Sequence, residues 1–294
     1  MINTSTASST NHTATLTLPT STGTILSLAW SPNGANLAAV TSRGYACVWD
    51  VTTGDLVLQK QITRSRLLAV AWSHQGRALL LGSEHGMLST LHVATRTLVT
   101  TSTFAQPITR IAWSPNAVTP RFFVVTGQVL KVFTQGKPEP SMLRYHTPIQ
   151  DACWSPDGNQ VALVCRNGLA EVWDASIRRV IWWQTYRQTQ PASITWEATG
   201  KRLALGCQDG TVQFQELSHT TTGEIVSLSR YPIQDVRWGE RYLVASSEQE
   251  VAFWDGAITP RPLQHATPVQ ALAFDPYGTV LATARQGIVA IAAL

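Results

Sequence analysis

Two carboxylates and two guanidiniums are the residues of this chain best suited to chemistry. Asp151, Asp235 and Arg110 each stand three residues before a tryptophan, and Arg237 stands one before Trp238. Paired carboxylates can divide acid and base work, and arginine forks hold carboxylate or phosphate in two-point contacts. Asp151 and Asp235 end identical tetrapeptides, PIQD at 148–151 and 232–235, and PVQA at 268–271 is a third copy; Gln150, Gln234 and Gln270 occupy its third place. Other reactive types do not gather. The seven histidines (His12, His74, His85, His92, His146, His219 and His265) scatter without metal-ligand spacing, and Cys47, Cys153, Cys165 and Cys207 form no C-x-x-C pair. There is no G-x-S-x-G elbow, and Gly136-Lys137 and Gly200-Lys201 lack the upstream glycine of a phosphate loop. No catalytic residue, metal or cofactor is therefore expected, and the cysteines read as reduced, buried small hydrophobes.

The elements that would position these groups are written in the chain as repeats. With 44% hydrophobic and 14% charged residues over 294 positions, the chain can bury a sizeable core, which excludes disorder throughout. ILSLAWSPNG, LLAVAWSHQG, ITRIAWSPNA, IQDACWSPDG, ASITWEATG, IQDVRWGE and VQALAFDPYG are seven versions of one motif. Their aromatic anchors, Trp30, Trp72, Trp113, Trp154, Trp196, Trp238 and Phe274, are separated by 42, 41, 41, 42, 42 and 36 residues. A fixed period of this length signals a repeat architecture.

Each unit reads as four strands. The first carries the anchor and ends in a Pro/Asn/Asp/Gly turn; the second is a continuous apolar run such as NLAAV or VALVC, suited to burial on both faces. A hairpin turn with a glycine follows, Asn167-Gly168 and Asp209-Gly210 being the clearest, then a third strand and a polar outer one. Third strands end in Trp49-Asp50, Trp173-Asp174 and Trp254-Asp255. No helical period is evident. Residues 1–12 read as a disordered tail, and the chain has neither a signal peptide nor a membrane-spanning run, so a cytoplasmic location is expected.

Period, turn and Trp-Asp dipeptide together resemble the WD-repeat β-propellers, over residues 13–294. The resemblance implies an all-β, seven-bladed β-propeller of four-stranded antiparallel blades around a channel. The last unit lacks an outer strand, and residues 13–19, TATLTLP, are expected to supply it, closing the ring with an N-terminal strand in the last blade. The His–Ser/Thr–Asp–Trp network common in the family is mostly missing: Arg43, Asn167 and Glu248 stand at the Asp position where Trp is kept, and Gln215 at the Trp position where Asp209 is kept. Blades 3 and 6, with shortened turns, are expected to be the least regular.

In this architecture Arg110, Asp151, Asp235 and Arg237 lie on inner strands beside the channel, either as ion pairs with ordered water, the preferred reading, or as a ligand site. Loops before the inner strands share one rim with the second hairpin turns. That rim receives Arg43, Arg64, Arg66, Arg144, Arg166, Arg187, Arg230 and Arg285, against Glu84, Asp209 and Glu248; the other rim is richer in acids though mixed with Lys201, Arg202 and Arg241. WD-repeat relatives usually serve as scaffolds, so the expected function is a non-enzymatic platform, a monomeric ring or part of a larger assembly. A protein segment, acidic or phosphorylated, would dock on Arg43, Arg64, Arg66, Arg166, Arg187 and Arg285 with Gln150, Gln234 and Gln270. The alternatives are a small-ligand binder or hydrolase using the channel, and a binder of nucleic-acid phosphates, the latter weakened by the lack of exposed stacking aromatics apart from Trp182-Trp183.

Overall fold

A computed structural model describes residues 13–17, 22–116, 118–176, 178–218, 223–256, 261–264, 268–285 and 287–294. The expected tail, residues 18–19 of the expected closing strand, and His219 and His265 lie outside them.

Continuous apolar runs flanked by glycine turns leave the backbone one economical solution, antiparallel hairpins stacked on both faces. Seven four-stranded antiparallel sheets form, and no α-helix occurs among the described residues. Blade 1 consists of Ile25–Trp30, Asn36–Thr41, Tyr45–Asp50 and Leu56–Gln61, from the axis outward. Blades 2 to 6 repeat the pattern with inner strands Leu67–Trp72, Ile108–Trp113, Ile149–Trp154, Pro191–Trp196 and Asp235–Trp238. Blade 7 joins Ala271–Phe274, Val280–Arg285 and Ile288–Ala293 to Thr13–Thr17, which pairs antiparallel with the third strand in the register Thr13↔Ala292 to Thr17↔Ile288.

The second strands carry the core: Leu37–Val40 and Val161–Cys165 are wholly buried between neighbouring blades. One cluster unites Ile25, Trp30 and Trp49 of blade 1 with Ala282, Val289 and Ile291 of blade 7, so the first and last blades pack as the others do. Turn glycines are required where chains crowd. Gly44 has φ +76°, and a Cβ there would strike the carbonyl of Thr63.

The anchor tryptophans tie blade to blade. The indole N–H of Trp72 donates to the carbonyl of Ala29 at 2.9 Å, that of Trp154 to Ala112 at 3.0 Å, and that of Trp30 to Ala273 at 3.1 Å. Each acceptor immediately precedes the anchor of the previous blade. Trp113 and Trp196 break the series, their buried Nε1 atoms having no partner.

Blade 6 is the least extended, with strands of four or five residues. Blade 3 departs from expectation: its first three strands are six residues each, because Gly127, at φ +56°, turns the chain within the shortened connection. Trp182 packs into the cluster of Ile194 and Leu205, whereas Trp183, 66% exposed, faces out from the outer strand.

Candidate functional site

The seven residues three before the anchors form one layer around the axis: Ser27, Ala69, Arg110, Asp151, Ser193, Asp235 and Ala271. Polar side chains occupy it from blade 3 to blade 6, and small ones fill blades 7, 1 and 2. Within the polar half, Arg110, Asp151 and Ser193 each reach the next blade. Arg110 Nε donates to Asp151 Oδ1 at 2.8 Å; Asp151 Oδ2 accepts from the Ser193 hydroxyl at 2.9 Å and from the Ile194 N–H at 3.2 Å. Ser193 Oγ accepts from the Val236 N–H at 3.0 Å and lies 3.2 Å from Asp235 Oδ1. Arg237 closes the belt from one layer away, its Nη1 lying 3.2 Å from Asp151 Oδ2 and 2.9 Å from Asp235 Oδ1.

Electrostatics follows from burial and these partners. Asp151 is fully buried, which alone would raise its pKa, but Arg237 and Arg110 with their hydrogen bonds outweigh burial and hold it at about 2. Burial also raises Asp235; Arg237 pulls it back, the charge of Asp151 pushes it up again, and the net shift is upward. For Arg237, burial opposes the charge and the two carboxylates more than restore it. The thiol of Cys153, next to this belt, is pushed far above its ordinary value by burial and then by Asp151. No thiolate nucleophile is on hand there, and Asp151, deep and firmly ionised, serves as a counter-charge that orients two arginines.

The belt flanks a channel cavity of about 700 Å³. Arg110, Asp235, Arg237 and Gln270 line it, and small or apolar residues such as Ser27, Ala71, Ile111 and Leu272 form much of the rest. Pro32, Pro115 and Pro276 stand where it meets the rim of the anchor turns. The four inner-strand residues singled out by sequence thus converge as ion pairs, beside a cavity wide enough to admit a small molecule. Ser193 was not among them, although it links Asp151 to blade 6.

Strand register places the arginines of the other rim. Thr41 pairs with Ile25 at the start of blade 1, and Gln61 with Tyr45, so the turn bearing Arg43 and the connection bearing Arg64 and Arg66 lie at the same end. The same pairing puts Arg144, Arg166, Arg187 and Arg230 there. All seven are exposed. Arg285 differs: it is half-buried, its Nε is enclosed without a partner, and burial lowers its pKa. Gln234 and Gln270 are exposed and Gln150 half-buried. Glu84 on this rim is tied to the backbone, accepting from the Arg66 N–H at 2.8 Å. On the opposite rim Asp50 accepts from the N–H groups of Thr52 and Thr53, and Asp275 from those of Thr279 and Val280. Those acids are fasteners of turns.

Among the described residues, no group of three or more His, Cys, Asp or Glu side chains could hold a metal ion, and no helix is long and apolar enough to cross a membrane. Residues 12–50 and 137–174, each running from the outer strand of one blade through the first three strands of the next, match the family model described as WD domain, G-beta repeat. The chain thus carries WD repeats in a β-propeller of seven four-stranded blades around a channel. Propellers of this family generally mediate protein–protein interaction and are typically non-enzymatic. No curated protein matches the chain by sequence.

Proposed function

We propose that this propeller is a non-enzymatic interaction platform whose arginine-bearing rim holds an acidic or phosphorylated segment of a protein partner. The observation that carries this reading is the uneven charge of the two rims: seven exposed arginines against Glu84, Asp209 and Glu248 at one end, whereas at the other end exposed cations such as Arg77, Lys201 and Arg241 are interspersed with carboxylates, several of them spent on turn hydrogen bonds. Guanidinium forks match carboxylate and phosphate oxygens in pairs, and their arrangement around a rigid ring limits the entropy lost on docking. The four free thiols fit a reducing compartment, in keeping with a cytoplasmic protein.

The test is reversal of charge at Arg64, Arg66 and Arg166 to Glu, with binding of fluorescent poly-glutamate and phosphoserine peptides followed by anisotropy at several salt concentrations. The reading requires affinity to fall at least about tenfold and the salt slope to flatten. Equal binding by the reversed protein would remove the rim from consideration, and selective binding of RNA with a steep salt slope would move the platform to nucleic acid.

A further inference from the structure

The channel cavity goes beyond this rim. The arginines of the belt are only partly consumed by the ion pairs. Arg237 uses Nη1 for Asp151, Asp235 and the carbonyl of Val236, and Arg110 uses Nε for Asp151 and Nη1 for the carbonyl of Thr109. Among the described residues, Nε and Nη2 of Arg237, one complete guanidinium edge, and Nη2 of Arg110 find no hydrogen-bond partner; neither does Oδ2 of Asp235. None of these atoms is enclosed. Their side chains, 27%, 37% and 18% exposed for Arg237, Arg110 and Asp235, line the cavity.

Donor edge and acceptor oxygen therefore stand side by side, and the belt as a whole is neutral, two guanidiniums against two carboxylates. Such a wall gives no net attraction to a polyanion. It complements a ligand that itself carries both signs: an anionic group for the arginine edge and a cationic N–H for Asp235. The remaining wall sets the rest of the ligand. Ser27, Ala71 and Ala273 leave the space, and Leu28, Ile111 and Leu272 border it with apolar surface.

We propose that the channel binds a small zwitterion, an α-amino acid with an apolar side chain, its carboxylate on Arg237 and Arg110, its ammonium on Asp235, and its side chain against the small and apolar residues of blades 7, 1 and 2. A cavity of about 700 Å³ is in the range of ordinary ligand sites and holds such a molecule with room for water. Asp151, wholly buried behind the arginines, keeps both forks in place without touching the ligand.

Isothermal titration of the full chain with L-phenylalanine and L-leucine tests the site. The expected dissociation constants lie between about 10 µM and 1 mM for ligands of this size. N-acetyl-L-phenylalanine and L-phenylalaninamide, each lacking one charge, should bind at least about tenfold more weakly. Ser27→Leu, outside the polar belt, should crowd the apolar side of the cavity and weaken binding of L-phenylalanine more than that of L-leucine while the unfolding midpoint holds; Asp235→Asn should weaken the amino acids but not the acetylated compound. The proposal is overturned by no heat of binding up to about 10 mM, by N-acetyl-L-phenylalanine binding as tightly as the parent, or by unchanged binding in Ser27→Leu. Reversal of Arg64, Arg66 and Arg166 should leave these titrations unchanged, so failure here and failure at the rim are separable.

Discussion

Asp151→Asn perturbs the belt at its centre. The carboxylate is wholly buried and accepts from Arg110 Nε, Arg237 Nη1, the Ser193 hydroxyl, and the N–H groups of Ile194 and Ala152. An amide of the same shape retains one acceptor oxygen and turns an NH2 toward donors, leaving two arginines without their counter-charge. Removing one partner of a buried ion pair costs about 3–5 kcal/mol. For a domain of this size that corresponds to a fall of roughly 6–20 °C in the unfolding midpoint. Acid titration supplies a second reading. Asp151 binds its proton less tightly when folded, with a pKa of about 2 against an ordinary 3.8, so its contribution is complete above pH 4 and drains away as pH falls towards 2. The shift corresponds to about 2 kcal/mol. Asp235, raised by folding, has the opposite sign: its contribution is present at low pH and is lost as pH rises through its folded value. Midpoints measured by circular dichroism from pH 2 to 7 should therefore decline at the acid end in the parent and decline less in Asp151→Asn. A variant within about 0.5 kcal/mol of the parent at pH 7, with the same acid slope, would refute the belt as a stabilising element.

Two further perturbations address the ring. Trp72→Phe and Trp113→Phe remove the same ring volume, but only Trp72 has a bonded indole N–H, so chemical denaturation should find Trp72→Phe more destabilised by about 1 kcal/mol. Deleting residues 1–17 exposes the edge of Ile288–Ala293 and should cost about 2–5 kcal/mol, from five lost backbone pairings, and promote aggregation; a synthetic peptide of residues 10–20 added in trans should restore the midpoint.

Much of this was legible in the chain because it repeats. A motif recurring every 41 or 42 residues fixed the anchors, and a continuous run such as VALVC could be read as a strand covered on both faces. The convergence of Arg110, Asp151, Asp235 and Arg237 could be anticipated because the first three share one place before an anchor and Arg237 stands two residues further along the same strand as Asp235. Ser193 holds that place too, but an isolated serine carries no signal until the aspartates 42 residues to either side are known to face it. The inter-blade role of the tryptophans was hidden likewise, since their acceptors are backbone carbonyls, which every sequence has. Arg285 shows the reverse: its position in a hairpin turn placed it on the rim, yet packing takes in much of its side chain, a difference set by local depth and not by residue type.

The half-polar layer also bears on how the ring is read by anything that approaches along its axis. A toroid built from seven matching units would offer a visitor seven rotational settings of nearly equal energy, and an assembly made on it would have no fixed orientation. Confining the charged belt, with Ser193 as its neutral link, to four consecutive units lifts that degeneracy: the ring acquires a front and a back around its circumference, and a polar visitor to the channel has one preferred angle.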